Sequence, residues 1–231
     1  MIDIATNIAA LKSRIQQAST KYSRDAGELV LVAVSKKQPA SAIAAAHAAG
    51  QRHFGENYVQ EAIAKIDQMQ QTSLIWHFIG PIQSNKTQAI AEHFDWVHSV
   101  DRLKIAQRLA AQRPPGHAAL NICLQVNIDA DPAKAGVAVN DCIDLAQHVA
   151  NLPGLALRGL MAIPARTDAP AQTRDSFRRL RELQQSVACQ LPAGAPFDQL
   201  SMGMSDDFEL AIAEGATLLR VGTAIFGARS P

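Results

Sequence analysis

The sequence has few of the features that mark several common protein classes. Its three cysteines lie far apart with no Cys-x-x-Cys spacing, so we expect neither a zinc site nor a disulfide framework, as in a reducing compartment. Aromatic residues make up 5% of the chain and its formal charge is +1, which argues against a nucleic-acid surface. No apolar run approaches membrane-spanning length, and the charged, amphipathic N-terminus is unlike a signal peptide. We therefore expect a cytoplasmic protein without nucleic-acid or membrane partners.

The chain does have a regular alternation of apolar strand patterns and helical patterns. An opening helix is followed by eight strand–helix units within 231 residues. Residues 29–34 contain only Leu, Val and Ala, as in a parallel strand buried on both faces. The alternation predicts an α/β fold, a single (β/α)₈ TIM barrel over residues 1–231 with an extra N-terminal helix. A doubly wound fold is disfavoured, because Ser35–Lys36–Lys37 stands where its glycine-rich motif would follow the first strand.

Residues that commonly cap helices precede three of the predicted helices. Asn57 is expected to cap the helix after the second strand, and Asp101 the helix after the fourth. Ser205 or Asp206 is expected to cap the helix after the seventh strand. These caps would set where each helix begins.

A lysine follows the first strand, at the end of the barrel where sites of this fold lie. The Lys36 ammonium is costly to bury, so it either reaches water or loses its proton. A neutral amine in an apolar pocket forms a Schiff base with an aldehyde. Taken alone, however, Lys36 and Lys37 are more typical of a strand end at the surface.

The last two predicted strands end in segments rich in glycine and hydroxyl groups. In such barrels, phosphate binds where the loops after strands seven and eight meet a short extra helix, and Gly222 and Thr223 stand at the start of one. Plainer roles remain open: Gly203 and Gly222 can serve turns, Ser205 can cap a helix, and Arg220 can pair with a carboxylate. An aldehyde that carries a phosphate, such as pyridoxal 5′-phosphate (PLP), would suit both the amine and the anion site.

Several motifs, in their order along the chain, resemble those of the YggS/PROSC family of pyridoxal phosphate homeostasis proteins. They are Leu31–Lys36, Phe54–Tyr58, Trp76–Gly80, Gln83–Lys86, Gly159–Met161, Leu200–Ser205 with Asp207, and Leu219–Gly227. The resemblance runs nearly end to end and implies a barrel like the N-terminal domain of alanine racemase. It also implies PLP as the cofactor, no metal, and a role in buffering PLP or delivering it to apo-enzymes that depend on PLP.

The resemblance further implies a role for each candidate site residue. Lys36 would hold PLP as a Schiff base, Asn57 would lie beside the ring and its phenolic oxygen, Arg220 would face the pyridine nitrogen, and Ser201, Gly222 and Thr223 would hold the phosphate. His77 would lie at the barrel floor or rim, and we give it a core role.

Two departures from the family pattern leave questions open. Residues Ser35–Pro39 are Ser-Lys-Lys-Gln-Pro, whereas many family members have Ser-Lys-Thr-Lys-Pro at this place. A second lysine therefore directly follows the first. Strand alternation would turn Lys37 away from the site. Lys134, in Lys-Ala-Gly, is either a loop cation near the site or a solvated side chain.

Arg220 bears on whether the protein is an enzyme. A guanidinium stays charged and only donates, so beside the ring it favours an unprotonated nitrogen and a weak electron sink. Racemases that resemble this barrel also have an arginine there, but they take a tyrosine base from an added domain, and neither Tyr22 nor Tyr58 is well placed for that task. We therefore predict a PLP-binding protein without robust catalysis and assign no catalytic residue; the alternative is a weak PLP-dependent amino-acid racemase. The sequence has no large apolar stripe, which favours a monomer.

Overall fold

Eight parallel strands form the centre of the protein. The computed structural model describes residues 3–70 and 72–227. The strands close into a barrel in sequence order, with β1 hydrogen-bonded to β8, which confirms the predicted barrel. They are β1 Val30–Val34, β2 His53–Glu56, β3 Ile75–Phe78, β4 Trp96–Val100, β5 Leu120–Gln125, β6 Leu155–Met161, β7 Gln199–Ser201 and β8 Leu218–Val221.

Helices surround the barrel. They are α1 Ile4–Lys21, α2 Ala40–Ala48, α3 Val59–Gln68, α4 Thr87–His93, α5 Leu103–Gln112, α6 Cys142–Ala150, α7 Pro170–Ala188, α8 Phe208–Ala213 and α9 Thr223–Phe226. The helix after β8 is only four residues long, and α1 packs against it and against α2 and α8. The Asn7 side chain fixes this contact by donating to the Ile225 carbonyl at 2.9 Å. The extra N-terminal helix thus covers the wall that a short α9 leaves open.

The predicted helix caps were wrong. Helices α3, α5 and α8 have Tyr58, Arg102 and Asp207 at their N-caps, and none of these side chains makes a capping hydrogen bond. The expected residues Asn57, Asp101, Ser205 and Asp206 lie one or two positions earlier. Each strand must first leave the barrel wall before its helix turns back, so these polar residues lie in the connecting loops at the C-terminal face.

The apolar core lies mainly between the barrel wall and the helices. A second, smaller cluster of Cys123, Met161 and Leu218 lies inside the barrel and is packed by Val30 and Trp96. No helix in the described ranges is long and apolar enough to cross a bilayer.

Candidate functional site

Lys36 lies in the turn that joins β1 to α2, at the C-terminal end of the barrel. It is half-buried, whereas Lys37 is exposed and has a left-handed backbone with φ of 62°. The preceding Ser35 is buried, and its N–H donates to the Gly55 carbonyl at 3.0 Å. The chain therefore reverses sharply at the strand end, and of the two lysines Lys36 has the more enclosed position.

Buried ionic groups hold this turn from behind. Lys65 Nζ donates to Glu56 Oε1 at 2.7 Å, to Glu61 Oε1 at 2.6 Å and to the Ser35 carbonyl at 2.7 Å. We call Glu56, Glu61 and Lys65 the ion clamp. Ser35 Oγ donates to Glu56, and the Lys37 N–H donates to Glu61. The clamp therefore binds the residues on both sides of Lys36. Burial raises the pKa of Glu56, although its hydrogen bonds with Lys65 and Ser35 oppose the shift.

Asn57 follows β2 and lies next to the end of β3. A Cβ at Gly80 would come within 2.3 Å of the Asn57 carbonyl oxygen, so only glycine fits there. The amide oxygen of the Asn57 side chain is buried and has no hydrogen-bond partner among the residues that the structure describes. Because an unpaired buried polar atom is costly, this amide is suited to a ligand that supplies the missing partner.

Arg220 occupies the interior just below the C-terminal mouth. Its guanidinium is buried and donates to Ser201 Oγ at 2.6 Å and to the Ala162 carbonyl at 3.0 Å. Within residues 3–70 and 72–227 it makes no ion pair with a carboxylate, so the pairing role that the sequence left open is not seen among them. Burial lowers the pKa of Arg220 to about 10, and the more distant Asp207 partly offsets this. The side chain remains a cation at neutral pH, supported by neutral acceptors.

Three histidines continue from Ser201 through the barrel interior. His98 Nδ1 lies 2.7 Å from Ser201 Oγ, and His98 Nε2 lies 2.9 Å from His77 Nδ1. His77 Nε2 in turn lies 2.9 Å from His53 Nδ1. We call His53, His77 and His98 the histidine chain. Burial lowers the pKa values of His77 and His98 well below 6.5, so both are neutral. The predicted core role of His77 holds, but the sequence analysis overlooked His53 and His98.

The ends of β8 and β1 lie against each other. A Cβ at Gly222 would be 3.1 Å from the Val34 carbonyl oxygen, two residues before Lys36. Thr223 begins α9 directly after Gly222, and its first N–H groups have no partner within the helix. The strands that lead to Asn57, Lys36 and Gly222 are thus neighbours in the barrel, which brings these positions to one sector of the mouth.

Two hydroxyl groups near β7 have different surroundings. Ser201 is fully buried, and its hydroxyl is bonded to Arg220 and His98 inside the barrel. Ser205 lies in the loop after β7, where its Oγ accepts from the Ala224 N–H of α9 at 3.5 Å. Of these two hydroxyls, it is therefore that of Ser205, a residue predicted from the sequence as a helix cap, that contacts the start of α9.

Lys134 joins two loops at the same face. Its ammonium donates to the carbonyls of Ile163, at 3.0 Å, and Pro164. The loop after β5 is thereby tied to the loop after β6. Of the two alternatives for this residue, the structure favours the loop cation over the solvated side chain.

Comparison with known proteins adds a family to this geometry. A family model described as alanine racemase, N-terminal domain, matches residues 6–230. A curated protein from Pseudomonas aeruginosa named pyridoxal phosphate homeostasis protein is 56% identical over 229 residues, which cover 99% of this chain and 97% of that protein. Its namesake from Escherichia coli (strain K12) is 50% identical over 232 residues, with coverage of 99% and 98%.

Solved structures show the same likeness. PipY of Synechococcus elongatus PCC7942, solved without PLP, is 42% identical with a TM-score of 0.86, covering 97% of this chain and 100% of that one. PipY with PLP bound is 41% identical with a TM-score of 0.82 and the same coverage. Alanine racemase from Corynebacterium glutamicum is 17% identical with a TM-score of 0.68, covering 98% of this chain and 61% of that one, a likeness in fold alone.

Proposed function

Because the chain belongs to the pyridoxal phosphate homeostasis protein family, we propose that it binds pyridoxal 5′-phosphate and serves PLP homeostasis by buffering or delivering this cofactor. One observation carries the proposal: the half-buried Lys36 and the glycine at the start of α9 end neighbouring strands, with Gly222 packed against Val34. An amine and an anion site on one rim suit a ligand that is both an aldehyde and a phosphate.

Lys36 is the residue that we assign to the aldehyde. Its amine would bond the aldehyde carbon as a Schiff base with loss of one water. The turn that carries it is held on both sides by the ion clamp, so the amine is presented in a fixed place. Lys37 is exposed and has a left-handed backbone, so it is less well placed for this role than the half-buried Lys36. The buried amide of Asn57, with an unpaired oxygen, would lie beside the ring.

We assign the phosphate to Gly222 and Thr223, with Ser205 as an added hydroxyl. Glycine lets an anion approach the backbone, and unpaired N–H groups at a helix start attract it. Ser201 was also predicted from the sequence to hold the phosphate. Its hydroxyl is instead occupied by Arg220 and His98, so we give Ser201 the task of supporting Arg220.

We propose binding without robust catalysis. PLP supplies a strong electron sink for carbanion chemistry when its ring nitrogen is protonated, and a weaker one when it is not. Arg220 would face that nitrogen as a cation that cannot accept a proton, and no carboxylate among the described residues pairs with it. Incubation of the PLP-loaded protein with L-alanine in D₂O tests the racemase alternative. Rapid deuteration at Cα with inversion would contradict the binding-only role.

Delivery to apo-enzymes and a monomeric, cytoplasmic state complete the proposal. Four large apolar side chains are exposed in loops that follow strands at the C-terminal face: Tyr58, Val139, Ile163 and Met204. They lie at the same face as the proposed cofactor mouth, where a recipient enzyme would have to approach. The three cysteines are unpaired, as a reducing compartment would keep them.

We further propose that residues 1–231 form one domain, supported by a family match over residues 6–230.

Titration of the purified protein with PLP tests this function. We expect near-stoichiometric binding in equilibrium dialysis and a visible absorbance band, both weakened at least about tenfold by Lys36→Ala. Lys37→Ala is the matched control, since it removes the adjacent exposed amine, and should leave binding within about twofold. Absence of PLP binding by the unmodified protein would refute the proposal, and equal loss in both variants would refute the assignment to Lys36.

A further inference from the structure

The histidine chain connects Arg220 with the opposite end of the barrel. His53 is the first residue of β2, is half-buried, and lines a groove of about 390 Å³ beside α1. Arg220 lies deeper along β8, toward the C-terminal mouth. The hydrogen bonds between His53, His77, His98, Ser201 and Arg220 measure 2.6 to 2.9 Å and run without a gap.

Arg220 sets the direction of these hydrogen bonds. A guanidinium only donates, so Ser201 Oγ must accept from it. The Ser201 hydroxyl keeps one proton, and His98 Nδ1 is its other partner among the described residues. Ser201 therefore donates to His98. If His98 donated to Ser201 instead, the buried hydroxyl proton of Ser201 would have no acceptor in the described part of the chain. That arrangement would lose one hydrogen bond.

The same direction passes through all three histidines. A neutral imidazole has one donor and one acceptor nitrogen. Since His98 Nδ1 accepts, its Nε2–H donates to His77 Nδ1, and the His77 Nε2–H donates to His53 Nδ1. Burial keeps His77 and His98 neutral, as this order requires, because a doubly protonated ring has no acceptor. Each of the three side chains is therefore the Nε2–H tautomer.

We propose that Ser201, His98, His77 and His53 are positioning residues for Arg220, acting as a one-way hydrogen-bond chain that starts at the guanidinium and ends at the groove beside α1. Ser201 turns a lone pair toward Arg220 because His98 takes its proton. The chain thereby fixes the guanidinium below the cofactor mouth without a counter-charge. What Arg220 faces rests on the proposed function, whereas the direction of the chain does not.

The tautomers can be measured in the protein without PLP. In long-range ¹H–¹⁵N spectra of protein labelled at histidine, recorded at pH 7.5, we expect an excess of the Nε2–H form of about tenfold or more at all three chain histidines. Single substitution of each histidine provides the assignments. A major Nδ1–H form, or a charged ring, at any of the three would overturn the proposal. PLP binding has no part in this outcome.

Variants at the two ends test whether the chain acts as a unit. Ser201→Ala removes the donor to His98, and His53→Leu removes the last acceptor, so each should reduce the tautomer excess at His77 to about threefold or less. His53→Gln keeps an acceptor oxygen and should preserve the excess. Ser99→Ala is the matched control on β4, because this buried hydroxyl donates to the Gly80 carbonyl outside the chain.

Absorbance of the PLP-loaded protein tests the positioning of Arg220. We expect Ser201→Ala and His53→Leu to move the pH midpoint of the visible band by about half a pH unit or more, and His53→Gln and Ser99→Ala to leave it in place. If the unmodified protein has the predicted tautomers but Ser201→Ala leaves the pH midpoint of the visible band unmoved, the positioning role is overturned. A protein that binds no PLP but has the predicted tautomers would refute the proposed function and leave the direction of the chain standing.

Discussion

The ion clamp behind Lys36 and the histidine chain behind Arg220 are two buried polar networks that support neighbouring strands at one mouth, β1 and β8. In the clamp, the ammonium of Lys65 lies between the carboxylates of Glu56 and Glu61. In the chain, the buried charge of Arg220 has no carboxylate partner among the described residues and rests on a hydroxyl and a carbonyl. One network is held by opposite charges, and the other by ordered neutral dipoles.

The difference predicts how each network fails. Loss of one ion from a buried pair leaves an uncompensated charge, which costs about 3–5 kcal/mol. Loss of one neutral partner leaves an unmade hydrogen bond, which costs about 1–3 kcal/mol. Removing a partner from the ion clamp at Lys36 should therefore cost more unfolding free energy than removing a partner from the histidine chain at Arg220.

The largest effect is expected from Lys65→Met. This change leaves Glu56 and Glu61 without their cation, so the free energy of unfolding should fall by about 3–5 kcal/mol in urea denaturation. Adding Glu56→Gln should recover part of the loss, because it removes one of the stranded charges. Lys104→Met, at an exposed position of α5, is the control and should change stability by less than about 0.5 kcal/mol. A similarly small change for Lys65→Met would mean that the clamp is not held by charge.

Acid should affect the two networks in opposite directions. Burial lowers the pKa values of His77 and His98, so below about pH 6.5 the unfolded chain binds protons that the folded chain does not, and stability falls with pH. The loss for each histidine approaches about 1.4 kcal/mol per pH unit well below pH 6.5. Burial raises the pKa of Glu56, so folding favours the protonated form of this carboxyl. Its contribution to stability is fully present below the ordinary pKa of 4.5 and is lost as pH rises through the raised pKa.

His77→Gln isolates the contribution of the histidine chain. Between pH 6.5 and 5.5, the loss of unfolding free energy should be about 1 kcal/mol smaller than in the unmodified protein. Urea denaturation at both pH values measures this difference. His117→Gln alters an exposed histidine in the loop after α5 and should leave the loss unchanged. An equal acid response in the two variants would contradict a neutral, buried chain.

A stability effect no larger than this is expected where the end of β8 meets the end of β1. In Gly222→Ala the new Cβ would be 3.1 Å from the Val34 carbonyl oxygen and 3.3 Å from Val34 Cβ, so the ends of β8 and β1 must separate slightly. We expect a stability loss of about 1 kcal/mol and PLP binding about tenfold weaker in equilibrium dialysis. Gly27→Ala is the control, because its Cβ would meet only the Asp25 side chain at 3.2 Å. Unchanged PLP binding in Gly222→Ala would remove this rim from the phosphate site.

The barrel and the rim were predictable because they depend on local patterns. The apolar run before Lys36 identifies β1, and barrel topology alone places Lys36 and Gly222 at the same face. The caps were not predictable, since loop length at each strand end depends on the barrel wall rather than on the capping residue.

The two networks were not predictable from the sequence, because their members meet only in the fold. His98 and Ser201 are 103 positions apart, and Lys65 looks like an ordinary surface lysine of α3 until its burial is known. One signal was available for the histidines: strand alternation places His77 and His98 on the inner face of neighbouring strands. The same rule could have set Ser201 inside the barrel, beneath the rim.

The attachment point of PLP is the most direct test of the proposed site. The PLP-loaded protein is reduced with borohydride, digested and mapped by mass spectrometry, which locates the amine that held the aldehyde. We expect the phosphopyridoxyl group on Lys36 alone. Its presence on Lys37 or on another lysine, or its absence from every peptide, would contradict the site described above.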